Sequence, residues 1–232
     1  MNPLSKIFPR RARREEPEHI PTPAETFLAG INVPFALVEN WIVVLGDLVL
    51  SARNLERLPD LTNVLVQGSF YCENNRLITL KGAPRVSGTF ICSNNELVSL
   101  EGAPQHVRGF VCDNNRLRTL EHAPETATKC FTCTNNRLTS LEHAPRYVGE
   151  WFDCRNNKLA SLAGLPERSG LIRSDLGEFE NPGAVPEHLR LSRKERTKKA
   201  REALRDAVVL QTKICVSRPL QLRPRPAAPG EG

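Results

Sequence analysis

FYCENNRLITL (residues 70–80) returns as FICSNNELVSL (90–100), FVCDNNRLRTL (110–120), FTCTNNRLTSL (131–141) and FDCRNNKLASL (152–162). Cys72, Cys92, Cys112, Cys133 and Cys154 thus recur at a near-constant interval, which lengthens by one position after Cys112. The stretches between them are also related: GAPRVSG (82–88), GAPQHVRG (102–109), HAPETATK (122–129), HAPRYVGE (143–150) and GLPERSG (164–170). A fixed period of this length predicts a solenoid, in which no unit buries its apolar face alone and stacking supplies the core.

The unit fits the leucine-rich-repeat pattern, with two alternating strand positions, an Asn and a turn carrying two Leu. In the first clear unit these are Phe70 and Cys72, then Asn75, then Leu77 and Leu80. Alternation on a strand sends Phe70 and Cys72 to one face and Tyr71 to the other. Stacked in parallel, the units place Phe on Phe and Cys on Cys. Asn75, Asn95, Asn115, Asn136 and Asn157 then form a column whose amides can satisfy backbone groups of the turns. Pro84, Pro104, Pro124, Pro145 and Pro166 disfavour helix and ladder on the outer wall, which absorbs much of the excess in a chain with 18 Pro. Seven strands are expected, centred near Val49, Tyr71, Ile91, Val111, Thr132, Asp153 and Arg173. GDLVLSARNLERLP (46–59) opens the array with Arg53 where the Asn belongs, as an atypical terminal unit.

The run from about Trp41 to Asp175 resembles the short leucine-rich repeats of bacterial and phage proteins, which are typified by NNxLxSLEGAP and V-x-G-x-F-x-C. SNNELVSLEGAP (93–104), VSGTFIC (86–92) and the lead-in WIVVLGDLVLSARNLERLP (41–59) carry the likeness. It implies a repeat solenoid, with short parallel β-strands in a leucine-rich-repeat arc, an extended non-helical convex side and a C-terminal α-helix. The chain is more loosely similar to secreted bacterial effectors with repeats of similar length. Those often add a C-terminal ubiquitin-ligase domain with a catalytic Cys, whereas the stretch that follows the repeats here (176–232) is too short for such a domain.

Cys130 and Cys133 spell C-x-x-C, but residues three apart on a strand face opposite ways. Cys133 is expected in the core and Cys130 on the open face. Free Cys packs as a small hydrophobe, so the Cys column reads as core rather than as a metal or redox site, and all seven thiols are expected free. His122 and His143 recur in EHAP on the outer turn and His106 and His188 have no partner at ligand spacing, so all four are expected as solvated surface residues. No Gly-rich phosphate loop, nucleophile elbow or paired-carboxylate arrangement is present, so neither an enzyme nor a cofactor is expected.

The flanks carry the charge. Residues 176–232 hold 12 basic and 7 acidic residues, most of the net +6. Residues 1–21 read as a disordered leader with Arg10, Arg11, Arg13 and Arg14 beside acidic residues. Residues 22–40 read as an N-terminal cap with a short helix, since Thr22-Pro23-Ala24-Glu25 forms a capping box. Residues 41–175 are the solenoid, 176–214 a C-terminal cap and helix, and 215–232 an extended or disordered tail. The second helix opens on Ser192-x-x-Glu195, with Ala200, Ala203, Leu204, Ala207 and Val208 as its apolar stripe. The longest apolar run, Trp41 to Leu45, is far shorter than the roughly 20 residues of a membrane helix. No membrane insertion and no Sec export are expected.

Function is then expected on the strand (concave) face. Val49, Tyr71, Ile91 and Val111 form an apolar strip there, followed by Trp151, Asp153 and Arg155. These seven residues are the candidate site for a protein partner, bound by a cytoplasmic monomer. Two other readings stay open. One is an effector that acts on a host protein through the same face, delivered into another cell without a cleavable Sec signal. The other is a nucleic-acid-associated protein that uses the basic C-terminal helix.

Overall fold

The computed structural model describes residues 20–192 together with 194, 195, 197–199, 201, 202 and 205. The predicted basic leader, the apolar stripe of the last helix, Cys215 and the tail lie outside the described residues. Helix α1 (Pro23–Gly30) starts as its capping box requires: Thr22 Oγ1 accepts from Glu25 N and the Glu25 carboxylate accepts from Thr22 N. It lays fully buried Leu28 and Ala24 onto the first turn of the core.

Beyond α1 the chain winds into a parallel β-solenoid whose turns each carry two extended stretches. The first stretches stack as β2 (Trp41–Val44), β4 (Val64–Val66) and β6 (Arg85–Val86), with β1 (Ala36–Val38) antiparallel on β2 as the outer strand. The second stretches begin as β3 (Leu48–Val49), β5 (Phe70–Tyr71) and β7 (Thr89–Ile91). From then on the two stretches of a turn form one bent strand: β8 (His106–Val111), β9 (Thr126–Thr132), β10 (Tyr147–Asp153) and β11 (Arg168–Ser174). A hairpin strand, β12 (Gly177–Phe179), closes this eight-stranded sheet antiparallel to β11.

The seven parallel strands of the larger sheet stand where the repeat spacing predicts them. Both the smaller sheet and β12 go beyond that expectation. The Pro of each unit does not prevent pairing on the outer wall because it precedes the strand: Pro84 sits just before β6, so no ladder N–H is missed. The bend between the two stretches admits almost no side chain in several turns. A Cβ on Gly88 would lie 2.5 Å from Gly68 O, and one on Gly149 would lie 1.9 Å from Thr128 O. The extra residue of the later units is absorbed at the same bend, where the β8–β9 register shifts between Val107 and Gly109.

The core is a set of columns. Phe70, Phe90, Phe110, Phe131 and Phe152 are fully buried, with successive ring centroids 5.0, 5.3, 5.6 and 5.6 Å apart. Leu77, Leu97, Leu117 and Leu138 form a second column, and Leu80, Leu100, Leu120, Leu141 and Leu162 a third. At the far end Ile172 continues the Phe column. Ser174 takes the Cys place, donating to Gly177 O at 2.8 Å and so turning the chain into β12. Ser192 and Glu195 cap each other, and the described residues from 194 to 205 are helical. Lys199 of that helix pairs with Glu187 of the short α2 (Glu187–Arg190). No helix among the described residues is long and apolar enough to cross a membrane.

Candidate partner-binding face

The interior columns account for most of the repeated polar residues. Asn95 Oδ1 accepts from Leu77 N at 3.0 Å, while Nδ2 donates to Cys72 O, Cys92 O and Ser93 O at 3.0, 3.1 and 3.2 Å. Asn115, Asn136 and Asn157 repeat the arrangement, with Oδ1 on Leu97, Leu117 and Leu138 N. Each amide therefore ties its own turn to the one before it. Asn75 does so for the first turn, accepting from both Arg53 N and Leu55 N at 3.0 Å. Arg53 can stand in the Asn place because no earlier turn needs it. At the other end the Asp175 carboxylate accepts from Asn156 N and Asn157 N at 3.0 and 3.2 Å. The first Asn of each pair, from Asn74 to Asn156, has a positive φ of 52 to 58°. Short polar side chains tolerate that region best, and this is the signal in the Asn-Asn dipeptide that periodicity alone does not explain.

Cys72, Cys92, Cys112, Cys133 and Cys154 are buried and free. Each thiol lies 3.3 to 3.6 Å from a carbonyl oxygen of the next strand, as in Cys112 Sγ to Thr132 O. Burial pushes all five thiols up, Cys154 to about 12. Such thiols are inert as nucleophiles. Among the described residues no group of three or more His, Cys, Asp or Glu could hold a metal ion.

Two expectations for the outer side of the strands need correction. Cys130 does face away from Cys133, but it is only 6% exposed rather than open. It pairs across from Gly109 on one side and Trp151 on the other. The bare glycine lets the thiol fold over it, so that a Cβ on Gly109 would come within 3.0 Å of Cys130 Sγ. Asp153 is 5% exposed rather than open, because Arg155 folds back over it with Nη2 2.6 Å from Oδ2 and Nε 3.0 Å from Oδ1. Its carboxylate is covered by its own neighbour.

The remaining candidates divide between the two halves of the sheet. Val49, Tyr71, Ile91 and Val111 stand side by side in direct register across β3, β5, β7 and β8. Val49 is 51% exposed and the other three are half-buried against their neighbours. Trp151 belongs to the neighbouring column, two strands further on and half-buried, with Lys129 Nζ 5.8 Å from its ring centroid. The cations of that half are committed to partners, Arg155 to Asp153 and Arg173 to Glu178. Between the halves Asp113 accepts from Thr132 Oγ1 at 3.0 Å and Thr134 N at 2.7 Å. Burial nevertheless raises its carboxyl above the usual range, outweighing those bonds.

Sequence reasoning did not single out Glu73 and Ser51, which flank the strip. Glu73 Oε2 and Ser51 Oγ are closed off from solvent without a hydrogen-bond partner among the described residues. Both occupy ordinary outward positions of the repeat, so nothing in the pattern marks them. Comparison with family models, curated proteins and solved structures finds no match.

Proposed function

We propose that this chain is a non-enzymatic protein-interaction module that captures a protein partner through the outward face of its larger sheet. The observation that carries this reading is the strip from Val49 to Val111, four apolar side chains in register on four adjacent strands and not covered by any described segment that packs on them as core. Contiguous surface apolar residues of this kind mark interaction sites, and aromatic residues such as Tyr71 dominate the energetics of binding. The likeness to leucine-rich repeats supports the same face. The interior reinforces the choice by elimination: its Asn and Cys columns are used up in holding one turn to the next.

Affinity capture with the intact chain tests the reading. Tyr71→Ala and Trp151→Ala are expected to weaken partner capture without changing the melting temperature, with the larger loss at Tyr71, inside the strip. Unchanged capture by both variants would remove this face from consideration.

A further inference from the structure

The three outward columns that cross β3, β5, β7 and β8 comprise twelve positions, and their composition is not balanced. Besides the strip they hold Asp47, Glu73 and Asp113, together with Ser, Thr and Gly, and no Lys or Arg at all. The nearest cations along the chain, Arg53 and Arg108, stand at the borders. This occurs in a chain whose net charge is +6. Three carboxylates around an apolar strip thus form a local field opposite in sign to that of the whole molecule. Further along the same sheet Asp153 pairs with Arg155 and Glu178 with Arg173. In the first half no such pairing is made among the described residues, and Glu73 Oε2 lacks even a hydrogen-bond donor there.

We infer that the face takes a basic amphipathic peptide segment of a partner protein, with apolar side chains on the Val49–Val111 strip and flanking Lys or Arg on Asp47, Glu73 and Asp113. The inference rests on the partner-binding reading of this face and specifies its ligand. Complementary charge sets which partner docks and in which register, while the strip supplies the apolar burial. A polyanion such as nucleic acid meets the wrong sign here.

The test uses two labelled peptides of one length with the same apolar positions, carrying Lys at every other position in one and Glu in the other. Their binding to the full chain is measured by fluorescence anisotropy at low and high salt. Because the chain is net +6, non-specific attraction favours the Glu peptide, so a preference for Lys has to arise locally. The expected result is binding of the Lys peptide about tenfold tighter than the Glu peptide, a ratio that shrinks at high salt. The triple variant Asp47→Asn, Glu73→Gln, Asp113→Asn should abolish the preference. Asn at 113 still offers Oδ1 to Thr134 N, and melting curves check that the variant folds. Glu73→Lys alone, which leaves one net negative charge among the three positions, should weaken it without abolishing it. Equal binding, a preference for the Glu peptide, no binding of either, or a Lys preference that survives the triple variant overturns the inference. If Tyr71→Ala still lowers capture of a partner in that event, the face remains the site and only its charge preference is wrong.

Discussion

Replacing Asn115 by Ala isolates what the amide column contributes. The carboxamide makes four bonds: Nδ2 to Cys92 O, Cys112 O and Asp113 O, each at 3.1 Å, and Oδ1 from Leu97 N at 3.0 Å. The three carbonyls are not orphaned by its loss. Cys92 O keeps Asn95 Nδ2, Cys112 O keeps Asn136 Nδ2, and Asp113 O keeps Asn94 N. Leu97 N alone is left buried with no acceptor. One orphaned donor costs about 1–3 kcal/mol, and weakened bonding of the carbonyls adds about 1 kcal/mol. The sum, about 2–4 kcal/mol, lowers the melting temperature by roughly 4–16 °C at about 2–4 °C per kcal/mol for a chain of this size. Asn157→Ala is the internal control, since that rung is half-exposed and water can take over its bonds. Asn115→Asp sharpens the point, because it keeps the acceptor for Leu97 N but turns a carboxylate toward three carbonyls. Its folded-state pKa is raised, so the variant is most stable at low pH and loses stability as pH climbs past about 4. Thermal melts followed by circular dichroism at neutral and acidic pH read all three. The reasoning is refuted if Asn115→Ala melts with the wild type, or if Asn157→Ala costs as much.

The thiol column predicts an alkaline limit to stability. Unfolded Cys ionises near about 8.5, and the folded thiols are pushed higher, Cys154 to about 12. The stability they contribute is complete below about pH 8.5 and falls as pH rises above it, up to about pH 12 for Cys154; urea melts above about pH 8.5 should show the fall, reduced in Cys154→Ala. A thiol reagent should leave the six described cysteines unmodified in the native protein and modify all of them after denaturation. His122 and His143 have φ of 65 and 66° at the place where Gly102 has 96°, and a left-handed side chain costs about 1–2 kcal/mol. His122→Gly should therefore raise the melting temperature, partly offset by the entropy of Gly. Gly102→Ala, whose Cβ would sit 2.3 Å from Leu80 O, should lower it by more than about 1 kcal/mol.

Much of the architecture was legible because a solenoid repeats its constraints. Strand placement, the Phe and Cys columns and the Thr22–Glu25 cap follow from period, alternation and capping chemistry, each a short-range rule. What escaped depends on which particular side chains stand beside one another. Cys130 is buried between Gly109 of the preceding turn and Trp151 of the following one. Asp153 reads as an exposed charge on alternation alone, and only the χ angles of Arg155 close it off. The smaller sheet was hidden by a correct rule applied one residue too far, since Pro84 bars its own N–H from a ladder and not that of Arg85.

The inside and the outside of the solenoid are under different physical constraints. Inside, each turn must match its neighbours: rings whose centroids stand 5.0 to 5.6 Å apart leave no room for a different shape, and an amide that bridges two turns can be replaced only where no previous turn exists, as at Arg53. Identity between turns is therefore a stability requirement and carries no information about a ligand. The outward columns are free of that requirement, since any good strand former satisfies them. Unconstrained filling would mix sign and polarity along the sheet. Instead Val49, Tyr71, Ile91 and Val111 keep to apolar residues with carboxylates alongside, and then give way at Thr132 to Asp153 and Arg173, which pair with Arg155 and Glu178. Stacking does not demand an unsatisfied Glu73 oxygen next to an open apolar strip. On the reading proposed above, this departure from what the scaffold needs is what a basic, partly apolar ligand would answer.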